Sequence, residues 1–310
     1  MQILGPDQLI FGVEDLDACC RCAEDYGLKR VEGGSDGATY EALDGTGIHF
    51  RRGGDAGLPE PTAPSPNLRE TRYGVADAAT LAAIGAELAR DRDVHALADG
   101  VLRARDDDGY WISFQVTRRR ALGGPHYGVN VPWQAPGRAV NDVAVRMDVP
   151  ALPLTLSHVV VFTRDKVRSE KFYSQRLGFR TTDAFTNLGP FMRPAGTKDH
   201  HTLFLVQAPG VGLEHFTFHF AGAHEVLRAG WDFARKGYHS HWGPGRHLMG
   251  SNYFWYFRSP FGGNIEFDAD MDQHDDSWVP RVIAGELDTT QAYLFTHAEK
   301  WLPNRPNYRK

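Results

Sequence analysis

Cysteine is nearly missing from this chain of 310 residues: there are three, all within DACCRCAED, at Cys19, Cys20 and Cys22. A disulfide framework needs partners far apart in sequence, so a stapled secreted scaffold is excluded. Cys19 and Cys22 have the C-x-x-C spacing of a metal or redox pair. No second ligand pair follows, however, and the stretch reads as an amphipathic helix carrying small half-buried residues. An excess of positive charge is missing too. The 34 Lys and Arg face 39 Asp and Glu, a net charge of −5 with no basic stripe, which argues against a nucleic-acid partner. No apolar run is long enough to span a bilayer, and the opening MQILGPDQL has no basic flank leading into an apolar stretch. The expectation is a soluble, cytoplasmic protein without a membrane partner.

What is present is internal repetition. Residues 8–31 and 158–182 share one plan: an alternating apolar strand, a charged turn, a helix of about ten residues, then Gly and a basic strand start. Residues 69–88 resemble 214–233 in the same way, and DDDGYWISFQV (106–116) resembles SPFGGNIEFDA (259–269). The pattern is four copies of a strand–helix–strands unit in two pairs. It divides the chain into an N-terminal domain (1–118), a linker rich in Gly, Pro and Arg (119–151), a C-terminal domain (152–275) and a tail (276–310). The tail is expected to hold one helix near 288–300.

The C-terminal pair differs from the N-terminal pair in one respect that carries chemistry. In GLEHFTFHF (212–220) the alternation of a strand sends Phe216, Phe218 and Phe220 to one face, readily explained as core, and His215 and His219 to the other. The first strand of the pair carries His158, and the last carries Glu266 in GGNIEF. A lone strand histidine is ordinarily a hydrogen-bonded structural residue. Three ligand-type residues at repeat-equivalent positions on apolar strands would each pay for desolvation unless they shared a partner. His158, His215 and Glu266 therefore read as a 2-His-1-carboxylate set for a divalent first-row metal. The matching N-terminal positions hold Gln8, Glu70 and Ser113, a poor site, so the N-terminal domain is expected to be metal-free.

With GRH at 245–247, WYFRSPFGG at 255–263 and DHHTLFL at 199–205, the triad resembles the type I extradiol ring-cleavage dioxygenases of the vicinal oxygen chelate (glyoxalase/bleomycin resistance/dioxygenase) superfamily. The resemblance implies an α+β fold of four βαβββ modules in two tandem domains, each a half-closed, barrel-like mixed sheet with helices outside. It implies Fe(II) held by His158, His215 and Glu266, with Mn(II) acceptable to the same triad, and no organic cofactor. His201 resembles the acid–base residue, while His247 and Tyr256 resemble the groups that hydrogen-bond the substrate's ring oxygens. His200 is expected to turn away and be structural. The implied substrates are O₂ and a catechol-type aromatic diol, in a homo-oligomer. Trp242, Phe191, Phe254 and tail residues are expected to wall the pocket. Metal isomerases of this superfamily take a fourth ligand from the remaining strand, here 201–209, where Leu203, Phe204, Leu205 and Val206 cannot ligate. A metal-dependent lyase or isomerase is thus the second reading, and a metal-free binding protein the third.

Overall fold

The computed structural model describes residues 1–123 and 130–295, and over them the chain runs strand, helix and three strands four times. The first unit is β1 (Ile3–Val13), α1 (Leu16–Tyr26), β2 (Lys29–Gly33), β3 (Gly37–Glu41) and β4 (Gly47–Arg52). The second is β5 (Asn67–Val75), α2 (Ala78–Leu88), β6 (His95–Ala96), β7 (Leu102–Arg105) and β8 (Trp111–Val116). Residues 117–123 and 130–154 contain neither helix nor strand. The third unit is β9 (Thr155–Thr163), α3 (Lys166–Leu177), β10 (Phe179–Phe185), β11 (Gly189–Pro194) and β12 (Leu203–Gln207). The fourth is β13 (Gly212–His219), α4 (Ala223–Arg235), β14 (Ser240–His247), β15 (Tyr253–Arg258) and β16 (Asn264–Ala269).

The repeats have a local cause. Asp15 and Asp165 stand at equivalent helix starts, where each carboxylate accepts backbone N–H bonds from the first turn. Gly27 and Gly178 end those helices in the left-handed conformation, at φ 107° and 72°, which glycine adopts without a Cβ clash. Cys19 and Cys22 are buried free thiols on α1, facing the core. Units one and two form a mixed sheet in the order β2-β3-β4-β1-β5-β8-β7-β6. Units three and four form a second, with β10-β11-β12-β9-β13-β16-β15-β14 as its body. Neither sheet closes into a barrel.

The aromatic face of β13 lies between the domains. Phe216 meets Phe11 of β1 at a ring-centroid distance of 5.7 Å, and Phe218 and Phe220 meet Tyr26 of α1 at 5.9 and 5.6 Å. The other face of β13 is thereby turned into the concave side of its own sheet.

The tail departs from expectation. Instead of a helix over 288–300, there is β17 (Arg281–Ile283), a single turn α5 (Leu287–Thr290) and a strand β18 (Gln291–Leu294); residues 296–300 lie outside the described residues. β17 pairs with edge strand β10, and β18 pairs with edge strand β14. The unpaired backbone groups of those edges outweigh the weak helical preference of QAYL.

Candidate metal centre

Register brings the three expected ligands together. His158 of β9 pairs with Thr217 of β13, and Thr217 pairs with Glu266 of β16, while His215 lies two residues along on the same face. The Nε2 atoms of His158 and His215 are 3.2 Å apart, and a Glu266 oxygen lies 3.2 Å from the first and 3.4 Å from the second. All three side chains are buried, and their ligand atoms fall within 4.8 Å of one another. Both carboxylate oxygens of Glu266 are shut off from water and neither receives a hydrogen bond. Three donor groups thus converge on one buried point where the Glu266 oxygens have no hydrogen-bond partner, a costly arrangement unless a cation is shared. The donor set of two imidazoles and a carboxylate suits a divalent first-row ion.

Two β-bulges build the surroundings, and strict strand alternation does not reveal them. Between Leu213 and His215 the β13–β9 register slips, making Glu214 the extra residue; a second slip makes Ser157 extra on β9. Each bulged residue contacts Nδ1 of the ligand histidine that follows it. Ser157 Oγ lies 3.0 Å from His158 Nδ1, and the Glu214 carboxylate makes a short contact with His215 Nδ1. Glu214 is therefore a site residue that sequence reading missed, since alternation would put it on the opposite face from His215. Burial opposes charge on His215, but Glu214 and Glu266 outweigh it and push its pKa up to about 10. Burial likewise opposes ionisation of Glu266, and the His158, His215 and His247 rings hold it well below the usual carboxylate range.

The N-terminal sheet repeats the scaffold without the chemistry. Gln8 pairs with Arg72 and Arg72 with Ser113, the same register that joins His158, Thr217 and Glu266. Glu70 there is engaged by Arg103 at 2.6 Å, Arg72 at 3.1 Å and the Ser113 hydroxyl at 2.5 Å. Its charge is already matched by two guanidinium groups.

Beside His158 and His215 lies a cavity of about 200 Å³. His201, His247 and Tyr256 all line it. The His201 ring is 4.1 Å from that of His158, and burial drives its pKa well below the ordinary histidine value, so it is neutral near pH 7. Burial also raises Tyr256 well above the usual phenol value, so it keeps its proton. His247 Nδ1 donates to the Thr290 carbonyl at 2.9 Å, and its Nε2 lies 3.1 Å from the Tyr256 hydroxyl. A neutral His247 is thereby an acceptor at Nε2, and donates there only when it carries both protons. Trp242, Phe191 and the tail residue Thr290 wall the cavity, but Phe254 does not; it lies behind, its ring 4.5 Å from Trp242 and 4.1 Å from His247. His200 turns from the cavity toward Asp183, 2.8 Å away.

Residues 155–267, the span holding all three candidate ligands, match the model of the Glyoxalase/Bleomycin resistance protein/Dioxygenase superfamily. The C-terminal domain is a glyoxalase superfamily domain. Among curated relatives, Metapyrocatechase 2 of Cupriavidus necator is 37% identical over 176 residues, 56% of this chain and 52% of the relative, so the match spans about half the length of each. Solved structures carry the likeness over nearly the whole chain. The Mn(II)-bound glyoxalase from Novosphingobium aromaticivorans superposes with a TM-score of 0.73 at 20% identity, over 94% of this chain and 91% of that one. BphC, a halotolerant catechol dioxygenase, gives 0.73 at 15% identity over 97% of both. The 2,3-dioxygenase LapB from Pseudomonas sp. KL28 gives 0.72 at 18% identity, over 92% of this chain and 98% of that one. At these identities the structures establish a shared fold for the glyoxalase superfamily domain and its N-terminal companion.

Proposed function

We propose that the protein is an Fe(II)-dependent extradiol dioxygenase that cleaves the ring of an uncharged, catechol-type diol, with one metal per chain. The observation that carries this reading is the buried triad with neutral His201 beside it. When bound by His158, His215 and Glu266, the ion supplies open coordination positions for a diol and O₂ and lowers the pKa of a phenol. His201, kept neutral by burial, accepts a phenolic proton and returns it later. Tyr256 keeps its proton, gives it to His247 Nε2 while no diol is bound, and turns it to a ring oxygen when one enters. The residues that β12 turns into the cavity are Phe204 and Val206, neither of which can be a fourth ligand, and this favours ring cleavage over isomerisation.

The far end of the cavity is formed by Phe185, Leu188, Phe191, Phe204, Val206 and Met249, and among the described residues no Lys or Arg lines it. Such a wall accepts an apolar ring substituent and has no partner for a carboxylate. Metapyrocatechase 2, by its name a catechol-cleaving enzyme, supports the same substrate class. Oxygen uptake by anaerobically purified, Fe(II)-loaded protein tests the proposal. One O₂ per diol is expected with catechol and alkyl or aryl catechols, giving a visible-absorbing ring-opened product. Catechols bearing a carboxylate should turn over at least about tenfold less efficiently. No uptake with any diol would reject the dioxygenase reading and leave the lyase or isomerase.

A further inference from the structure

Behind His201 stands a chain of buried ionisable groups that the chemistry above does not use. Asp183 of β10 is wholly buried, and its Oδ2 accepts from Arg281 Nη2 at 2.5 Å and Nε at 3.0 Å. Its Oδ1 accepts the Arg281 backbone N–H at 2.7 Å. The same Oδ2 lies 2.8 Å from His200 Nε2, and His200 Nδ1 lies 3.0 Å from His201 Nδ1. Both histidines are buried.

The direction of each bond follows from what each group can do. An ionised carboxylate only accepts, so His200 carries a proton on Nε2. Burial would raise the Asp183 pKa, but the His200 and Arg281 hydrogen bonds outweigh it and bring it to about 2. Arg281 already balances that carboxylate, and a second proton on His200 would bury an additional cation beside it. Neutral His200 therefore presents a bare Nδ1, and the 3.0 Å contact is satisfied only if His201 donates from its own Nδ1. A second proton on the buried His201 ring would add another cation beside His200, so its Nε2 is left unprotonated on a ring that lines the cavity.

We propose that Asp183 and His200, anchored by Arg281, are positioning residues that hold His201 in the Nδ1-protonated tautomer, so that its bare Nε2 is the proton acceptor of the cavity. This rests on the reading of His201 as the acid–base residue. The logic is that of a carboxylate fixing the tautomer of a catalytic imidazole, here passed through a second imidazole. It also gives a role to the tail. Arg281 belongs to β17, and Trp278 donates its indole N–H to the Thr182 carbonyl, one residue before Asp183, at 2.9 Å.

The test reads protons first and rates second. Long-range ¹H–¹⁵N correlation of the imidazoles in the ¹⁵N-labelled full chain, loaded with diamagnetic Zn(II), should show His201 protonated at Nδ1 and bare at Nε2. His200 should show the opposite pattern. A proton on His201 Nε2, or His200 protonated on both nitrogens, would overturn the proposal. In the Fe(II)-loaded protein, His200→Phe removes the acceptor, and kcat should fall on the order of tenfold with iron content and diol KM unchanged. His200→Asn, whose Oδ1 stands near the position of Nδ1, should recover part of that loss. Wild-type kcat in His200→Phe, or equal impairment in both variants, also overturns it. A wild-type protein that takes up no oxygen would instead defeat the ring-cleavage reading, with the tautomer still decided by the spectrum.

Discussion

Each candidate ligand histidine follows the residue that contacts its second ring nitrogen, Ser157 before His158 and Glu214 before His215. Such outer partners fix tautomer and ring orientation, and losing one typically costs a metal site 10–100-fold in affinity. Glu214→Gln should therefore weaken Fe(II) binding by roughly 10–100-fold in a competition titration against a chelator, with the fold intact by circular dichroism. Unchanged affinity would show that Glu214 is only a wall of the cavity. His201→Asn should leave metal and diol binding in place and lower kcat by about 10²–10⁴, the usual share of a general acid–base group. Normal turnover would remove His201 from the role. The triad was legible because His158, His215 and Glu266 are costly on apolar strands and recur at repeat-equivalent positions. Glu214 was not, because a one-residue bulge leaves no mark on a period-two pattern. Phe254 was misplaced for a related reason: alternation assigns a face, not which of two stacked aromatic layers meets the cavity.

At the scale of elements, the βαβββ units were legible from Asp and Gly punctuation around amphipathic helices, whereas the tail was not. QAYL has no strong preference of its own, and only the open edge of β14 makes it a strand. The consequence is functional. β17 sits on β10 at one edge of the sheet and β18 on β14 at the other, so the residues joining them span the mouth of the half-closed sheet. From that strap the Thr290 carbonyl holds His247, and Gln291 accepts the Trp242 indole N–H at 2.8 Å. Truncation before Glu286 should raise the diol KM by roughly tenfold or more through lost positioning, while iron content stays near that of the intact chain. A truncated protein with unchanged KM would make the strap a passive cover.

Across the whole molecule, the two sheets share one apolar core in which Phe11, Phe50, Phe216 and Phe261 meet. Phe216→Ala should cost about 3–5 kcal/mol, the range for a large buried aromatic. Both domains should still melt in one calorimetric transition; two separated transitions would contradict a shared core. A second join carries a pH signature. Asp106 of the N-terminal domain accepts from the Tyr173 hydroxyl of α3 at 2.9 Å, and burial pushes its pKa up to about 7. A carboxyl raised in the folded state binds a proton that the unfolded chain releases, so its penalty is absent below about pH 4 and complete above about 7. Stability should fall as pH rises through that window, and Asp106→Asn should flatten the urea midpoint's dependence on pH; parallel curves for the two proteins would refute this.

One site per molecule, built by the second sheet and not the first, is the claim on which the rest depends. Metal analysis after anaerobic reconstitution with Fe(II) addresses it directly, in the wild-type protein and in His215→Ala. The arrangement of His158, His215 and Glu266 against the satisfied Glu70 network predicts one iron per wild-type chain and almost none in the variant. Full iron occupancy in His215→Ala, or a second ion bound between Gln8, Glu70 and Ser113, would contradict it.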